Sequence, residues 1–200
     1  ETIEFELVNT LQKLMRNKKS TVAFLQGQDE ANQYEVADFA RELSADFKID
    51  MTTVDELENK SVDILIVADP KNAFDEKAKI IIDQFIMKGG KVVWLISPVQ
   101  VSLDSLSNGY LTYAFPRDIN LSDQLFGYGV RLNYELLQDV NCVRIQVNTA
   151  APGNPAKFTL HPWYYSPLLT PNDNNPVSRN LNWVMSEFTS SVDTLSGYPG

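Results

Sequence analysis

The chain has 200 residues, 44% of them hydrophobic and 22% charged, which is enough apolar sequence to bury the core of a globular domain. It carries 17 basic and 26 acidic residues, a net charge of −9 that argues against binding to nucleic acid or to anionic lipid. One cysteine and one histidine exclude an intrachain disulfide and any zinc site built from several such ligands.

In chain order, the first hundred residues alternate between amphipathic and short apolar segments. Helical spacing predicts helices over residues 3–17, 34–47 and 73–88, and apolar runs predict strands over 21–25, 49–54, 62–68 and 91–96. Gly89 and Gly90 are expected to end the helix before them in the left-handed conformation. Strands that alternate with helices predict a parallel sheet with helices on both faces.

The second half holds most of the ten prolines and few charges, and we expect it to be rich in loops. We predict a long loop or irregular excursion over residues 101–122. Residues 121–129 are expected to form a short helix, with Ser122 as its N-cap and Gly129 at its end. Strands are predicted over 143–147 and 158–161, and residues 183–192 could form a strand, which we favour, or a short helix. We predict one α/β domain over 1–200, with regular βα units over 1–100 and a loop-rich, partly β completion over 101–200.

Ligands of parallel sheets bind beyond the carboxyl ends of the strands. The residues that follow the predicted strands give five candidates for ligand binding: Gln28, Asp29, Glu30, Asp69 and Ser97. Convergent carboxylates could bind Ca²⁺ or act on a sugar. The alternative that we favour is that these acidic residues cap the following helices or are solvated in loops. We predict no metal site.

The remaining chemistry-bearing residues predict no enzyme. Cys142 precedes a strand without a glycine elbow, so we interpret it as a buried small hydrophobic residue rather than a nucleophile. His161 ends an alternating run and is expected to be a solvated or hydrogen-bonded structural histidine. No Gly-x-Ser-x-Gly sequence is present, and residues 89–91 lack the pattern of a phosphate-binding loop. We expect no catalytic residue and no cofactor.

Aromatic residues cluster at two places. Trp163, Tyr164 and Tyr165 could stack on a sugar or line a partner surface, but between prolines they more often form a plug in the core beneath loops. Phe126 and Tyr128 lie two positions apart and cannot share a helical face, so one is expected to pack inward and the other outward.

Three stretches look like one protein family. They are residues 89–98 (GGKVVWLISP), residues 123–133 (DQLFGYGVRLN) followed by Asp139, and residues 163–169 (WYYSPLL) leading to Asn175 and Pro176. Together they resemble the extracytoplasmic domain of gliding-motility-associated ABC transporter auxiliary proteins, the GldG-like family. The opening residues 3–30 also fit, because that family starts with a helix and then a strand that runs into a turn containing glycine.

The resemblance implies a Rossmann-like fold similar to class I glutamine-amidotransferase-like domains, and a protein without enzymatic activity. It places the domain outside the cytoplasmic membrane, in the periplasm, held by membrane helices that this chain lacks. The partners that it implies are ABC transporter permease and ATPase subunits. Relatives often read Gly-His-Gly-Glu after the first strand, whereas this chain has Gly27, Gln28, Asp29 and Glu30, so a role of that histidine does not carry over.

Three functions follow as hypotheses. The leading one is a non-enzymatic extracytoplasmic interaction domain of an ABC transporter complex associated with gliding motility or surface secretion. The second is a carbohydrate-binding module that binds envelope glycan, based on the acidic strand ends and the aromatic residues. The third is a degenerate amidohydrolase or glycosidase. The chain holds no apolar run of membrane-spanning length and no signal peptide, so we read it as an excised soluble piece.

Overall fold

A computed structural model describes residues 7, 11, 19–101, 111–151, 153–176, 178–179 and 181–195. The chain divides into two compact units: unit 1 is Glu1–Ile96 with Asp118–Gln124, and unit 2 is Ser97–Arg117 with Leu125–Gly200. The helix predicted over 3–17 lies outside the described residues except at Leu7 and Leu11, where the backbone is helical. The prediction of one domain over the whole chain stays a prediction.

Unit 1 is built on a parallel sheet of four strands in the order β2-β1-β3-β4. The strands are β1 (Thr21–Gln26), β2 (Lys48–Thr53), β3 (Ile64–Ala68) and β4 (Lys91–Leu95). The helices between them are α1 (Ala37–Ser44), α2 (Val54–Leu57) and α3 (Glu76–Met87). These elements confirm the predicted alternation and the mixed α/β class, whereas the Rossmann-like or amidotransferase-like assignment stays a prediction.

The two central strands form the core of unit 1. β1 and β3 are continuous apolar runs that are buried along nearly their whole length, as expected of strands covered on both faces. Phe24 and Leu65 are fully buried, and so are Phe74 and Ile82 beyond the strands. The edge strand β4 is less covered, since Val93 and Leu95 are exposed. The chain moves from β1 outward to β2 and from β3 outward to β4, so the direction of the strand order changes between β1 and β3.

The segment Asp118–Gln124, which belongs to unit 1, packs on α3. The Phe74 N–H donates to the Ile119 carbonyl at 3.0 Å, and Ile119 is buried. The Lys79 ammonium donates to both carboxylate oxygens of Asp123, at 2.7 and 2.9 Å. This ion pair fixes the segment because Lys79 is itself buried in α3.

Unit 2 consists of short antiparallel sheets. β5 (Val99–Gln100) pairs with β6 (Phe115–Pro116), and β7 (Val130–Leu132) pairs with β11 (Val192–Thr194). The third sheet is formed by β8 (Cys142–Asn148), β9 (Phe158–Leu169) and β10 (Val184–Met185), with β9 in the middle. The short helix α4 (Ser122–Gly127) precedes β7, and its first three residues belong to unit 1.

The second half contains more strand than the sequence predicts: β5 and β7 were not predicted, and β9 continues to Leu169, beyond the predicted 158–161. Two further differences concern short strands. A strand at Phe115–Pro116 interrupts the region expected to be a long loop, and two short strands, β10 and β11, replace the last strand predicted over 183–192. Both differences involve strands of two or three residues, which are too short for an alternating pattern to reveal. Gly129 follows α4 with a positive φ of 82°, as expected. Within the described part of the chain, no helix is long and apolar enough to cross a membrane.

Candidate functional site

The loops that follow β1 and β3 meet at the carboxyl edge of the parallel sheet. The N–H groups of Lys71 and Asn72 both donate to the Gln28 carbonyl at 2.9 Å, and the Ala31 N–H donates to the Ala68 carbonyl at 2.8 Å. We call residues 27–30 and 69–72 the switch-point edge. Four predicted site residues, Gln28, Asp29, Glu30 and Asp69, thus belong to one edge, as the strand order requires.

The fifth predicted site residue, Ser97, is exposed and is the first residue of unit 2. The role of all five residues in ligand binding stays a prediction, because the geometry establishes where they lie and not what they bind.

Two aspartates of the switch-point edge adopt the left-handed backbone conformation. The φ of Asp29 is +56° and that of Asp69 is +48°. Aspartate tolerates this region better than most residues with a Cβ, but glycine is the residue that it favours. Carboxylates therefore occupy two positions of the edge at which the backbone conformation favours glycine.

Glu30 is the buried acidic residue of the edge, with 6% of its surface exposed. Its Oε2 accepts a hydrogen bond from the Gln28 N–H at 2.8 Å. Within the described residues, Glu30 Oε1 and Gln28 Oε1 are buried and have no hydrogen-bond partner. Buried acceptors of this kind are normally satisfied by water or by a ligand. The edge is therefore equipped to accept hydrogen bonds from a hydroxyl or amino group, and not to bind an anion.

Other residues close the turns and helices that follow the edge. Asn32 Oδ1 accepts hydrogen bonds from the N–H groups of Tyr34 and Glu35, and Glu35 Oε2 accepts one from the Asn32 N–H at 2.7 Å. This reciprocal pair resembles a capping box and leads into α1. Asp75 caps α3 by accepting a hydrogen bond from the Ala78 N–H at 2.7 Å. The N-cap position of α1 itself is Val36, and no side chain caps it, so the capping expected of Asp29 and Glu30 is not observed at this helix.

No cluster with three or more His, Cys, Asp or Glu side chains that could hold a metal ion occurs among the described residues. Cys142 is half-buried and lies opposite Pro167 in the β8–β9 pair, so it is less buried than predicted. His161 is exposed, and its Nε2 lies 2.9 Å from the Thr159 hydroxyl. His161 is thus both exposed and hydrogen-bonded, and its structural role stays a prediction.

The aromatic residues of unit 2 form a cluster that includes a residue missed from the sequence. The rings of Trp163 and Tyr165 pack edge to face at 5.6 Å, and Phe188 packs on both, with centroids 6.2 and 6.4 Å away. Trp163 and Tyr165 are half-buried and Tyr164 is exposed, so the stretch is only partly a core plug. The expectation for Phe126 and Tyr128 is wrong, since both side chains are exposed.

A polar network joins β7 to β11. The Asp193 carboxylate accepts hydrogen bonds from Asn133 and from Arg131, which lower its pKa below the usual value of 3.8. Asn133 also donates to the Ser191 hydroxyl at 2.8 Å, and that hydroxyl donates to Glu135 at 2.5 Å. Every contact of this network spans the two strands or the residues beside them, so the network fixes the pairing of β7 with β11.

The two units bury very different amounts of apolar side chain. Among the described residues, all fully buried hydrophobic side chains except Val99 and Leu125 belong to unit 1. Unit 2 carries most of the large hydrophobic side chains that are exposed, among them Tyr113, Phe115, Phe158, Leu160, Trp183 and Met185. Large exposed apolar surface marks interaction sites in soluble proteins.

Comparison with known proteins identifies the family. The model of the family described as "ABC-type uncharacterized transport system" (ABC_transp_aux) matches residues 19–199. A solved structure titled "mmIFT52 N-terminal domain" is similar, with a TM-score of 0.57 and 16% sequence identity, over 89% of this chain and 70% of that one, which is a likeness of fold alone. No curated protein matches the chain. With nearly its whole length matched, the chain belongs to the family of ABC-type transport system auxiliary proteins.

Proposed function

We propose that the chain is a non-enzymatic interaction domain of an auxiliary subunit, and that it binds the permease and ATPase subunits of its ABC transporter. Membership of the family implies transporter partners. The observation that carries the proposal is the apolar surface of unit 2, where exposed hydrophobic side chains outnumber buried ones. The interpretation as a non-enzyme is supported by the family.

The exposed side chains of the β8–β9 pair give this surface a definite location. Phe158 and Leu160, two apart on β9, are 62% and 61% exposed, and their cross-strand neighbours are Asn148 and Gln146. Successive side chains of a strand alternate between its faces, so Phe158 and Leu160 lie on the same face. Aromatic and aliphatic side chains that are exposed together supply the apolar centre of many protein interfaces.

The resemblance to GldG-like proteins supports a more specific proposal. The domain lies outside the cytoplasmic membrane, in the periplasm, is joined to that membrane by helices elsewhere in the protein, and serves gliding motility or surface secretion. Its unit 1 is a variant of the amidotransferase-like fold. Protease treatment of spheroplasts tests the location: a periplasmic domain is digested while a cytoplasmic marker survives, and a domain that resists until lysis contradicts the proposal.

Affinity purification of the tagged full-length protein from envelope membranes tests the partners. We expect the permease and ATPase subunits to co-purify with the wild type, and the Phe158→Asp/Leu160→Asp variant to lose them. The matched control is Ile80→Asp/Met87→Asp, which replaces two exposed apolar side chains of α3 in unit 1. Purification of the wild type without either subunit would refute the proposal, and equal losses in both variants would refute the role of unit 2.

The alternative function is a module that binds envelope glycan. It is supported by the unpaired buried acceptors of Glu30 and Gln28, since sugar hydroxyls donate hydrogen bonds, and by the exposed Tyr164 beside the aromatic cluster. Calorimetry with envelope saccharides tests it. Binding that is lost in Glu30→Gln and kept in the control Glu35→Gln supports the switch-point edge, whereas a flat titration with the wild type removes the glycan function.

A further inference from the structure

Unit 2 contains a cavity that is about half open to solvent and has a volume of about 210 Å³. Three aromatic side chains, Trp163, Tyr165 and Phe188, form part of its wall, and aliphatic side chains of Val101, Leu111 and Leu136 form another part. All of these residues belong to unit 2. Among the described residues, none that lines the cavity carries a charge.

The volume sets the size of a possible occupant. A cavity of roughly 150 Å³ in a protein core accommodates benzene, and pockets for drug-sized ligands begin at about 300 Å³. At ≈ 210 Å³ the cavity holds one aromatic ring with a small substituent, or an aliphatic group of that size.

The wall sets the chemistry of the occupant. Aromatic and aliphatic side chains dominate it, and Thr112 is its neutral polar member. An ionised ligand would lose part of its hydration in such a site and would find no charged partner among the described lining residues, which is unfavourable. An uncharged apolar molecule instead gains from every CH group that it removes from water.

One wall residue is held in an uncommon conformation. Phe188 has a φ of +49°, a region that a bulky side chain rarely occupies. The Phe188 N–H donates to the Tyr165 carbonyl at 2.8 Å, which ties the loop before β11 to β9. This bond and the ring contacts with Trp163 and Tyr165 hold the Phe188 ring in the cavity wall. Backbone strain of this kind persists where surrounding contacts impose it, and it is concentrated at binding sites.

We propose that this cavity is a binding site for a small, uncharged, apolar molecule of about the size of one aromatic ring. The inference goes beyond the proposed function, because the site lies within unit 2 and requires neither a transporter subunit nor a glycan. Its wall of packed rings selects ligands by size and by absence of charge.

Titration of the purified chain, with isotope-labelled methyl groups, tests the proposal by NMR. The probes are toluene and benzoate, which share one ring and differ in charge. We expect toluene to shift the methyl signals of Val101, Leu111 and Leu136 saturably, with a Kd of about 1 mM or below. Benzoate should leave them in place. Absence of a saturable shift with toluene, or equal shifts with both probes, would overturn the proposal.

Filling the cavity gives the second part of the test. Ala114 lines the cavity, and Ala114→Phe should weaken toluene binding at least about ten-fold by occupying the same space. Ala156→Phe is the matched control, because Ala156 is exposed, as Ala114 is, but is not among the residues that line the cavity. If Ala114→Phe does not fold, Leu136→Trp replaces it. Undiminished binding in a folded cavity-filling variant shows that toluene binds elsewhere and overturns the assignment.

Discussion

At the scale of single residues, Lys79 is the charge on which the attachment of segment Asp118–Gln124 depends. Its side chain is 8% exposed, and its ammonium donates to Asp123 and, at 3.1 Å, to Glu76. The hydrogen bond to Asp123 raises the pKa of Lys79 above 10.5 despite the opposing effect of burial. A buried ammonium that keeps its charge needs its partners, so the ion pair is more costly to break than to replace.

We predict that Asp123→Ala lowers the free energy of unfolding, because it leaves the buried Lys79 ammonium with only the exposed Glu76 carboxylate as its partner. Lys79→Met should cost less, about 1 kcal/mol, because it removes the charge as well. Chemical denaturation measures both. Lys77→Met is the control on the same helix: Lys77 pairs with Asp55, but its side chain is 71% exposed, and a smaller change than for Lys79→Met is expected. A larger loss for Lys79→Met than for Asp123→Ala would contradict this account.

The same ion pair predicts how stability depends on pH. The Lys79 ammonium lowers the pKa of Asp123 below its usual value of 3.8, so the folded chain holds this proton less tightly than the unfolded chain. The stabilisation from Asp123 is therefore complete above the usual pKa and is lost as pH falls through the lowered one. Denaturation between pH 6 and about 2 should show a smaller acid loss of stability in Asp123→Asn than in the wild type. Parallel curves for the two proteins would exclude Asp123 as a contributor.

At the scale of elements, two adjacent glycines between α3 and β4 serve different purposes. Gly89 has a φ of +95° and no atom within 4 Å of an added Cβ, so its requirement is conformational. Gly90 shows the opposite: a Cβ there would lie 2.4 Å from the ring of Phe85. The sequence predicts the left-handed stop at this pair but not the contact with Phe85, because that contact depends on how the last turn of α3 lies against the start of β4.

We predict that Gly90→Ala lowers the free energy of unfolding by about 1–3 kcal/mol, because the Phe85 ring must move. In the Phe85→Leu background the cost of Gly90→Ala should shrink, which a double-mutant cycle measures. Gly89→Ala is the matched control, expected to cost about 1–2 kcal/mol regardless of residue 85, because it strains the backbone alone. Additive effects of Gly90→Ala and Phe85→Leu would show that the ring contact is not the cause.

The elements also show what the sequence could predict. Strands β1 and β3 were predicted closely because each is a continuous apolar run bounded by polar residues. That the loops after β1 and β3 lie at one edge followed from the parallel alternation of elements, whereas the sequence left open whether Asp29, Glu30 and Asp69 converge there. The burial of Glu30 and the contribution of Phe188 to the aromatic cluster could not be predicted, because both depend on contacts between residues distant in the sequence or on a backbone angle that the residue type disfavours.

At the scale of the whole molecule, the two units differ in how their strands are supported. The strands of unit 1 are held by buried side chains on a four-stranded sheet, whereas β7 and β11 of unit 2 pair over three residues and depend on a partly exposed polar network. Cooperative protection from solvent follows burial, and strands with few buried contacts open locally. The apolar surface of unit 2 therefore belongs to the part of the chain with less internal support, as expected if a partner completes it.

We predict that native-state hydrogen exchange distinguishes the two units. Amide protons of β1 and β3 should exchange only through global unfolding, with a strong dependence on denaturant, because their opening exposes the core. The amide protons of Asn133 and Leu195, which bond to the Ser191 and Gly129 carbonyls, should exchange through local opening at a free energy lower by roughly 2 kcal/mol or more. Equal protection and equal denaturant dependence in both units would contradict this difference.

If the transporter partner binds unit 2, its addition should slow exchange at β8 and β9 and leave β1 unchanged, since only the exposed apolar surface is covered.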